Sequence, residues 1–137
     1  MNTSFHISLP CSDVKATKNF YKYVIGGTLG RFNDNWVDVN LFGHQLTFTK
    51  AGKFDFSNPN YVFEGKILPS FHFGIILDKK DWEEVNKRLK AQKLELVDKA
   101  TFLKGQPGEH SSFYVKDPNE YMLEFKCFKD PKDIFNK

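Results

Sequence analysis

The stretch Ser70-Phe71-His72-Phe73-Gly74-Ile75-Ile76-Leu77-Asp78 decides how the rest of the chain is read. As a strand it places Phe71, Phe73, Ile75 and Leu77 on one face and His72, Gly74 and Ile76 on the other, because strand side chains alternate with period two. The imidazole is set opposite the apolar face. The same pattern occurs near the N-terminus, where Phe5, Ile7 and Leu9 oppose His6, Ser8 and Pro10. His6 and His72 stand 66 residues apart in a chain of 137, close to half its length. That offset predicts a duplicated module.

Each half then repeats one order of elements. In the first, a strand over 3–10 ends at a proline, Ser12-Asp13 offers an N-cap, and Val14, Ala16, Phe20, Tyr21 and Val24 carry a helical spacing up to Gly26-Gly27. Strands are expected over 28–32, 36–42 and 44–49. In the second, the strand over 71–77 leads through Asp78 or Asp81 into a helix with Trp82, Val85 and Leu89 on one face. Strands follow over 94–97, 111–116 and 121–128, with Asp117-Pro118-Asn119-Glu120 as a turn. Phe54, Phe56, Tyr61 and Phe63 make the connection an ordered flap or lid rather than a loose linker. The expected fold is α+β, one domain over 1–137. Two tandem βαβββ modules form a cup-shaped, eight-stranded mixed sheet with helices outside. Module one covers about 1–50, the flap 51–69, module two 70–128 and a charged tail 129–137.

Bulk properties narrow the function. Fifteen Phe make a bulky core. The formal charge of +3 is spread along the chain, and only Arg31 and Arg88 are arginine, so a phosphate-tracking groove is not expected and nucleic acid is excluded as a partner. No run approaches the roughly 20 apolar residues of a membrane span, and no leader pattern opens the sequence, so a soluble, cytoplasmic protein is expected. Cys11 and Cys127 have no metal or multi-bridge spacing and are expected to be reduced thiols.

The face opposite the apolar one holds His6, Ser8, Asp38, Asn40, His72 and Gly74, too polar to be sealed unless it binds something. In Tyr121-Met122-Leu123-Glu124-Phe125-Lys126, Leu123 and Phe125 face the helices and Glu124 faces the cup. Singly, each histidine reads as a hydrogen-bonded strand residue, and Glu124 as half of a salt bridge to Lys126 or another neighbour. Together, two imidazoles in equivalent places of a repeat and a carboxylate in the final strand point to a divalent metal. This ligand set with open positions suits iron(II), manganese, zinc, nickel or cobalt.

On Phe5-His6-Ile7, Asp13, Phe20-Tyr21, Phe71-His72-Phe73 and 117–125, the chain resembles the vicinal oxygen chelate superfamily, which includes glyoxalase I, extradiol dioxygenases, fosfomycin-resistance thiol transferases and bleomycin-resistance proteins. The segment 117–125 is similar to that family's DPxGxxLEF signature, with Glu120 where glycine or asparagine is usual. Residues 36–46 and 105–109 resemble a bacterial group described as extradiol-type dioxygenases. The resemblance implies His6, His72 and Glu124 as ligands of a metal, preferably iron(II), and a small-molecule substrate bound through vicinal oxygens. It also implies a homodimer, with modules closing within a chain or across two. It sets Gln45 where glyoxalase I has a fourth, carboxylate ligand, which disfavours glyoxalase activity, and groups Asn40 and Asp38 with it as substrate or fourth-position residues. His44 in a rival register, His110 and Tyr114 are candidate catalytic groups; a phenol at Tyr114 could hydrogen-bond an iron-bound catecholate. Arg31 is a candidate for a substrate carboxylate or for plain surface. The implied alternatives are isomerase, lyase or thiol-transfer chemistry, or metal-free sequestration of a ligand.

Overall fold

The computed structural model describes residues 3–94 and 96–136. Its elements run β1 (His6–Cys11), α1 (Val14–Asn19) continued by a π-helical segment (Phe20–Ile25), β2 (Thr28–Phe32), β3 (Trp36–Leu41), β4 (His44–Lys50), β5 (Asn60–Phe63) and β6 (Lys66–Pro69). Then come β7 (Phe73–Ile76), α2 (Lys79–Ala91), β8 (Leu96–Phe102), β9 (His110–Lys116), β10 (Met122–Phe128) and a closing 3-10 turn (Pro131–Ile134). The chain is α+β and contains two βαβββ modules. The first sheet has the order β1-β4-β3-β2 and the second β7-β10-β9-β8, so the repeat extends to topology. In each, the first strand runs parallel to the last and the other pairs are antiparallel. Residues 1–56 with 117–119 form one compact unit, and 57–116 with 120–137 form another.

In the first unit the Asp13 carboxylate caps α1 by accepting the Ala16 N–H at 2.8 Å. Phe20, Tyr21 and Ile25 are buried, as are Val37, Val39, Leu41, Leu46 and Phe48 on the strands, with the Tyr21 and Phe48 rings 4.8 Å apart. The turn 117–119 is tied into this unit. Tyr21 Oη donates to Asp117 Oδ2 at 3.0 Å and Asn119 Nδ2 donates to Thr17 Oγ1 at 3.2 Å, so a buried carboxylate and amide are both partnered. The side chain of Phe5 was expected on the helix-packed face; it lies just before β1 and is 60% exposed. Pro10 does not end β1, which continues to Cys11. Gln45 N–H donates to the Phe5 carbonyl and Ala51 N–H to the Cys11 carbonyl, so the odd-numbered residues face β4. The N–H that proline lacks is therefore one that would point away from the ladder, and β1 is the terminal strand of its sheet.

In the second unit Asp78 caps α2 by accepting the Asp81 N–H at 2.9 Å. Trp82 Nε1 donates to the Phe125 carbonyl at 2.7 Å and fixes the helix to the sheet, while Phe113 stacks on Phe125 at 5.1 Å beneath it. Gly74 pairs with Glu124 in the β7–β10 ladder, and a Cβ there would overlap the Glu124 main chain. A glycine is thus required for β7 to lie this close to the strand that carries the carboxylate. Strand β8 is longer than the expected 94–97, extending to Phe102; Glu95 lies outside the described residues. Within the charged tail the chain forms the 3-10 turn, and Lys137 also lies outside the described residues.

The expected flap is a β-hairpin in its second half. Strands β5 and β6 pair antiparallel around Glu64-Gly65, both with positive φ (49° and 74°), the turn geometry that matches strand twist. Leu68 is buried with Ala100, Phe102 and Tyr114, and Phe63 lies 5.4 Å from the Phe102 ring. The Glu64 carboxylate accepts the Leu103 N–H through both oxygens at 3.1 and 3.2 Å. On the opposite face, Val62 and Ile67 pair directly and are 69% and 71% exposed.

Candidate metal centre

His72 and Glu124 meet in the second unit, with Nε2 and Oε2 3.3 Å apart. His72 Nδ1 lies 2.9 Å from the Pro69 carbonyl, which can only accept, so Nδ1 carries a proton and Nε2 is the nitrogen turned to the carboxylate. Two lone-pair donors facing each other need a proton or a cation between them. Donors about 2.1 Å from a single cation stand about 3.0–3.4 Å apart for square to tetrahedral angles, and the observed separation falls in that span. The other carboxylate oxygen is occupied: Ser112 Oγ donates to Oε1 at 2.6 Å and Tyr114 Oη at 3.1 Å, both from buried side chains. Orientation of a ligating carboxylate and imidazole by such outer partners is what a metal site requires. The pair fits a divalent cation, and among the described residues no third His, Cys, Asp or Glu completes a cluster with it.

Charge is consistent with this arrangement. Burial opposes ionisation of Glu124, but hydrogen bonds from His72 and Ser112 and the charge of Lys126 prevail and hold its pKa at about 2. The hydrogen bond to Glu124 raises that of His72 above its ordinary value, against burial. Burial and the neighbouring carboxylate push Tyr114 upward, so the phenol stays protonated and remains a donor. Lys126 Nζ stands 3.6 Å from Oε2. The Tyr61 ring, on β5, lies nearly parallel to the His72 ring at 6.5 Å.

The first unit holds the remaining candidates. His6 and Gln45 are ladder partners and both exposed, with Asn40 the next partner across the sheet. The turn Phe42-Gly43 joins Leu41 and His44 in direct register, so no bulge intervenes and His44 and Gln45 face opposite sides. His44 Nδ1 accepts the Phe5 N–H at 3.0 Å, which leaves the proton on Nε2. Asn40 Oδ1 accepts the Gly43 N–H at 2.7 Å, and buried Asp38 accepts from Thr47 Oγ1 at 2.6 Å with Arg31 3.6 Å away. Arg31, Asp38, Asn40, His44 and Gln45 line a cleft of about 340 Å³.

A protein-family model, the Glyoxalase/Bleomycin resistance protein/Dioxygenase superfamily, matches residues 3–125. The chain belongs to that superfamily. Among solved structures, a glyoxalase/bleomycin resistance protein/dioxygenase from Alicyclobacillus acidocaldarius is 27% identical with a TM-score of 0.83, over 98% of this chain and 97% of that one. The fosfomycin resistance protein FosX from Listeria monocytogenes (14% identity, TM-score 0.68, 97% and 98% covered) shares the fold. So does a lactoylglutathione lyase from Agrobacterium tumefaciens (15%, 0.64, 100% and 98%). No match is found among curated proteins.

In this superfamily member the ladder registers refine the sequence reading. Glu124 pairs with Gly74, two residues after His72; two residues after His6, Ser8 pairs with Thr47. Thr47, rather than Gln45, is by register the repeat's counterpart of Glu124, and its hydroxyl is bonded to Asp38. Register is decided by the whole ladder, which a single aligned residue does not reveal. Tyr114 is buried and donates to Glu124. His110 is four residues along β9 from Tyr114, about 13 Å, with its ring flanked by Phe102 and Phe128 and Nδ1 bonded to the Gly108 carbonyl. The structure does not bring it to the pair. Sequence reasoning missed Ser112 and Tyr61 as site residues. For Ser112 a signal existed, since alternation along 110–116 puts it on the face of Tyr114; Tyr61 was marked only as one of the flap's aromatics, without its place beside His72.

Proposed function

We propose that this chain is a mononuclear, divalent-metal-dependent enzyme that binds its substrate through two vicinal oxygens, and that it cleaves a catechol ring in extradiol fashion with dioxygen. The opposed His72 Nε2 and Glu124 Oε2, each held by its own outer partner, carry this reading. His6, the repeat counterpart of His72, is the third ligand, from the same chain or from a second copy. A cation held there supplies Lewis-acid polarisation of the two substrate oxygens and, as iron(II), the redox chemistry of dioxygen.

The chain's own residues do the rest. Ser112 and Tyr114 hold Glu124 so that only Oε2 is offered, and the Pro69 carbonyl holds a proton on Nδ1 of His72, so that Nε2 is the nitrogen left to coordinate. Thr47 in place of a fourth carboxylate leaves open positions for a chelating substrate and a second small molecule, which supports an oxygenase over a glyoxalase-type isomerase. Gln45, beside His6, hydrogen-bonds the bound substrate through a neutral amide, while Asp38 and Asn40 hold the surrounding backbone and Thr47. His44 enters only as a donor through Nε2. The hairpin β5–β6, with Tyr61 against His72, shields the site from water.

Purification under anaerobic conditions with iron(II), followed by elemental analysis, tests the site. One metal per chain is expected in the wild type and at least a tenfold loss of occupancy in His72→Ala. Stoichiometric metal persisting in His72→Ala would sink the proposed centre. Oxygen uptake with a panel of catechols tests the reaction: no uptake by iron-loaded protein counts against ring cleavage, and no metal in the wild type favours ligand sequestration.

A further inference from the structure

Lys126 does not behave as a surface lysine. It is two residues from Glu124 on β10 and shares its sheet face, its side chain is 27% exposed, and its Nζ stands 3.6 Å from Oε2. Its ladder neighbours are Ile76 on β7 and the buried Ser112 on β9. The ammonium approaches the one carboxylate oxygen that Ser112 and Tyr114 leave free, the same oxygen that faces His72 Nε2. Without a metal, Lys126 balances the charge of Glu124. A dication on Oε2 would set two cations beside one oxygen in a partly desolvated site, where like charges repel more strongly than in water. Lys126 shares the sheet face of Glu124, so an ammonium displaced from Oε2 stays within reach of an anion next to the metal position. A bound substrate is the group that arrives there.

We propose that Lys126 is a specificity residue that recognises a carboxylate on the substrate: its ammonium pairs with Glu124 in the metal-free protein and passes to the substrate carboxylate when metal and ligand bind. This rests on the metal-centre reading above and narrows its substrate class to catechols or related vicinal-oxygen chelators bearing a carboxylate. Lysine suits this role, being a compact charge on a flexible stem that can exchange partners.

The test compares wild type, Lys126→Gln and Lys126→Arg by calorimetry, first with manganese(II) alone and then, on the manganese-loaded proteins, with catechol and 3,4-dihydroxybenzoate. Manganese is expected to bind several-fold tighter to Lys126→Gln, because the resident competitor is gone. Wild type is expected to bind the carboxylated catechol at least tenfold tighter than catechol, Lys126→Gln to lose that preference, and Lys126→Arg to keep most of it. Lys126→Met replaces Lys126→Gln should the latter fail to give a native circular dichroism spectrum. An unchanged carboxylate preference in the neutral variant, or no preference in the wild type, would overturn the role of Lys126 while leaving the metal centre standing. Failure of wild type and neutral variant alike to bind manganese would overturn the metal-centre reading and this inference with it.

Discussion

At the scale of single residues, the relation between His72 and Glu124 has consequences even without a metal. Glu124 titrates at about 2 in the folded chain against an ordinary 4.5, so its contribution to stability is present above about pH 4.5 and is lost as pH falls towards 2. His72 is raised above its ordinary 6.5, so its contribution is fully present below pH 6.5 and is lost as pH rises through the folded value. Thermal melts of the metal-free protein should therefore show the pair's contribution greatest between about pH 4.5 and 6.5. His72→Ala should flatten the alkaline side of that profile; a profile unchanged by the substitution would show that the pair is not formed in solution. Both residues were legible in the sequence because each interrupts an apolar alternation. The Pro69 carbonyl that sets the His72 tautomer was not, since a main-chain acceptor carries no mark in side-chain chemistry. The reach of Lys126 was only partly legible, because alternation gives the face of a lysine but not where its long stem ends.

At the scale of elements, the hairpin β5–β6 adds a test. Its attachment depends on Leu68, Phe63 and the Glu64 carboxylate that accepts the Leu103 N–H. Glu64→Ala should raise amide exchange across 60–69 and at Leu103 several-fold, the effect of losing a hydrogen bond of about 1 kcal/mol. Exchange in β9 and β10 should not change; equal acceleration there would mean that the hairpin is not a separate unit. Sequence reasoning expected an ordered flap from its aromatics but no ladder. Glu64-Gly65 lacks the Asn-Gly or Asp-Gly signal of a tight turn, and four-residue strands carry too few alternations to stand out. The helices and the long strands were legible because caps at Asp13 and Asp78 and repeated alternation agree with each other.

For the molecule as a whole, duplication was the most legible property, and sequence spacing and sheet order express it equally. What the spacing could not give was the ladder register, which makes Thr47 the repeat counterpart of Glu124. Phe5 and Phe42 of the first unit are exposed, and we expect a homodimer. Light scattering should give twice 15.9 kDa at micromolar concentration; a mass of 15.9 kDa would refute it. Pro10 has a different consequence at this scale. At one rung of the terminal strand β1 the outward main-chain donor is missing, so a strand from another molecule cannot extend the sheet by continuous pairing there. The native ladder loses nothing by it, and in concentrated solution the same proline interrupts the template on which fibres would grow.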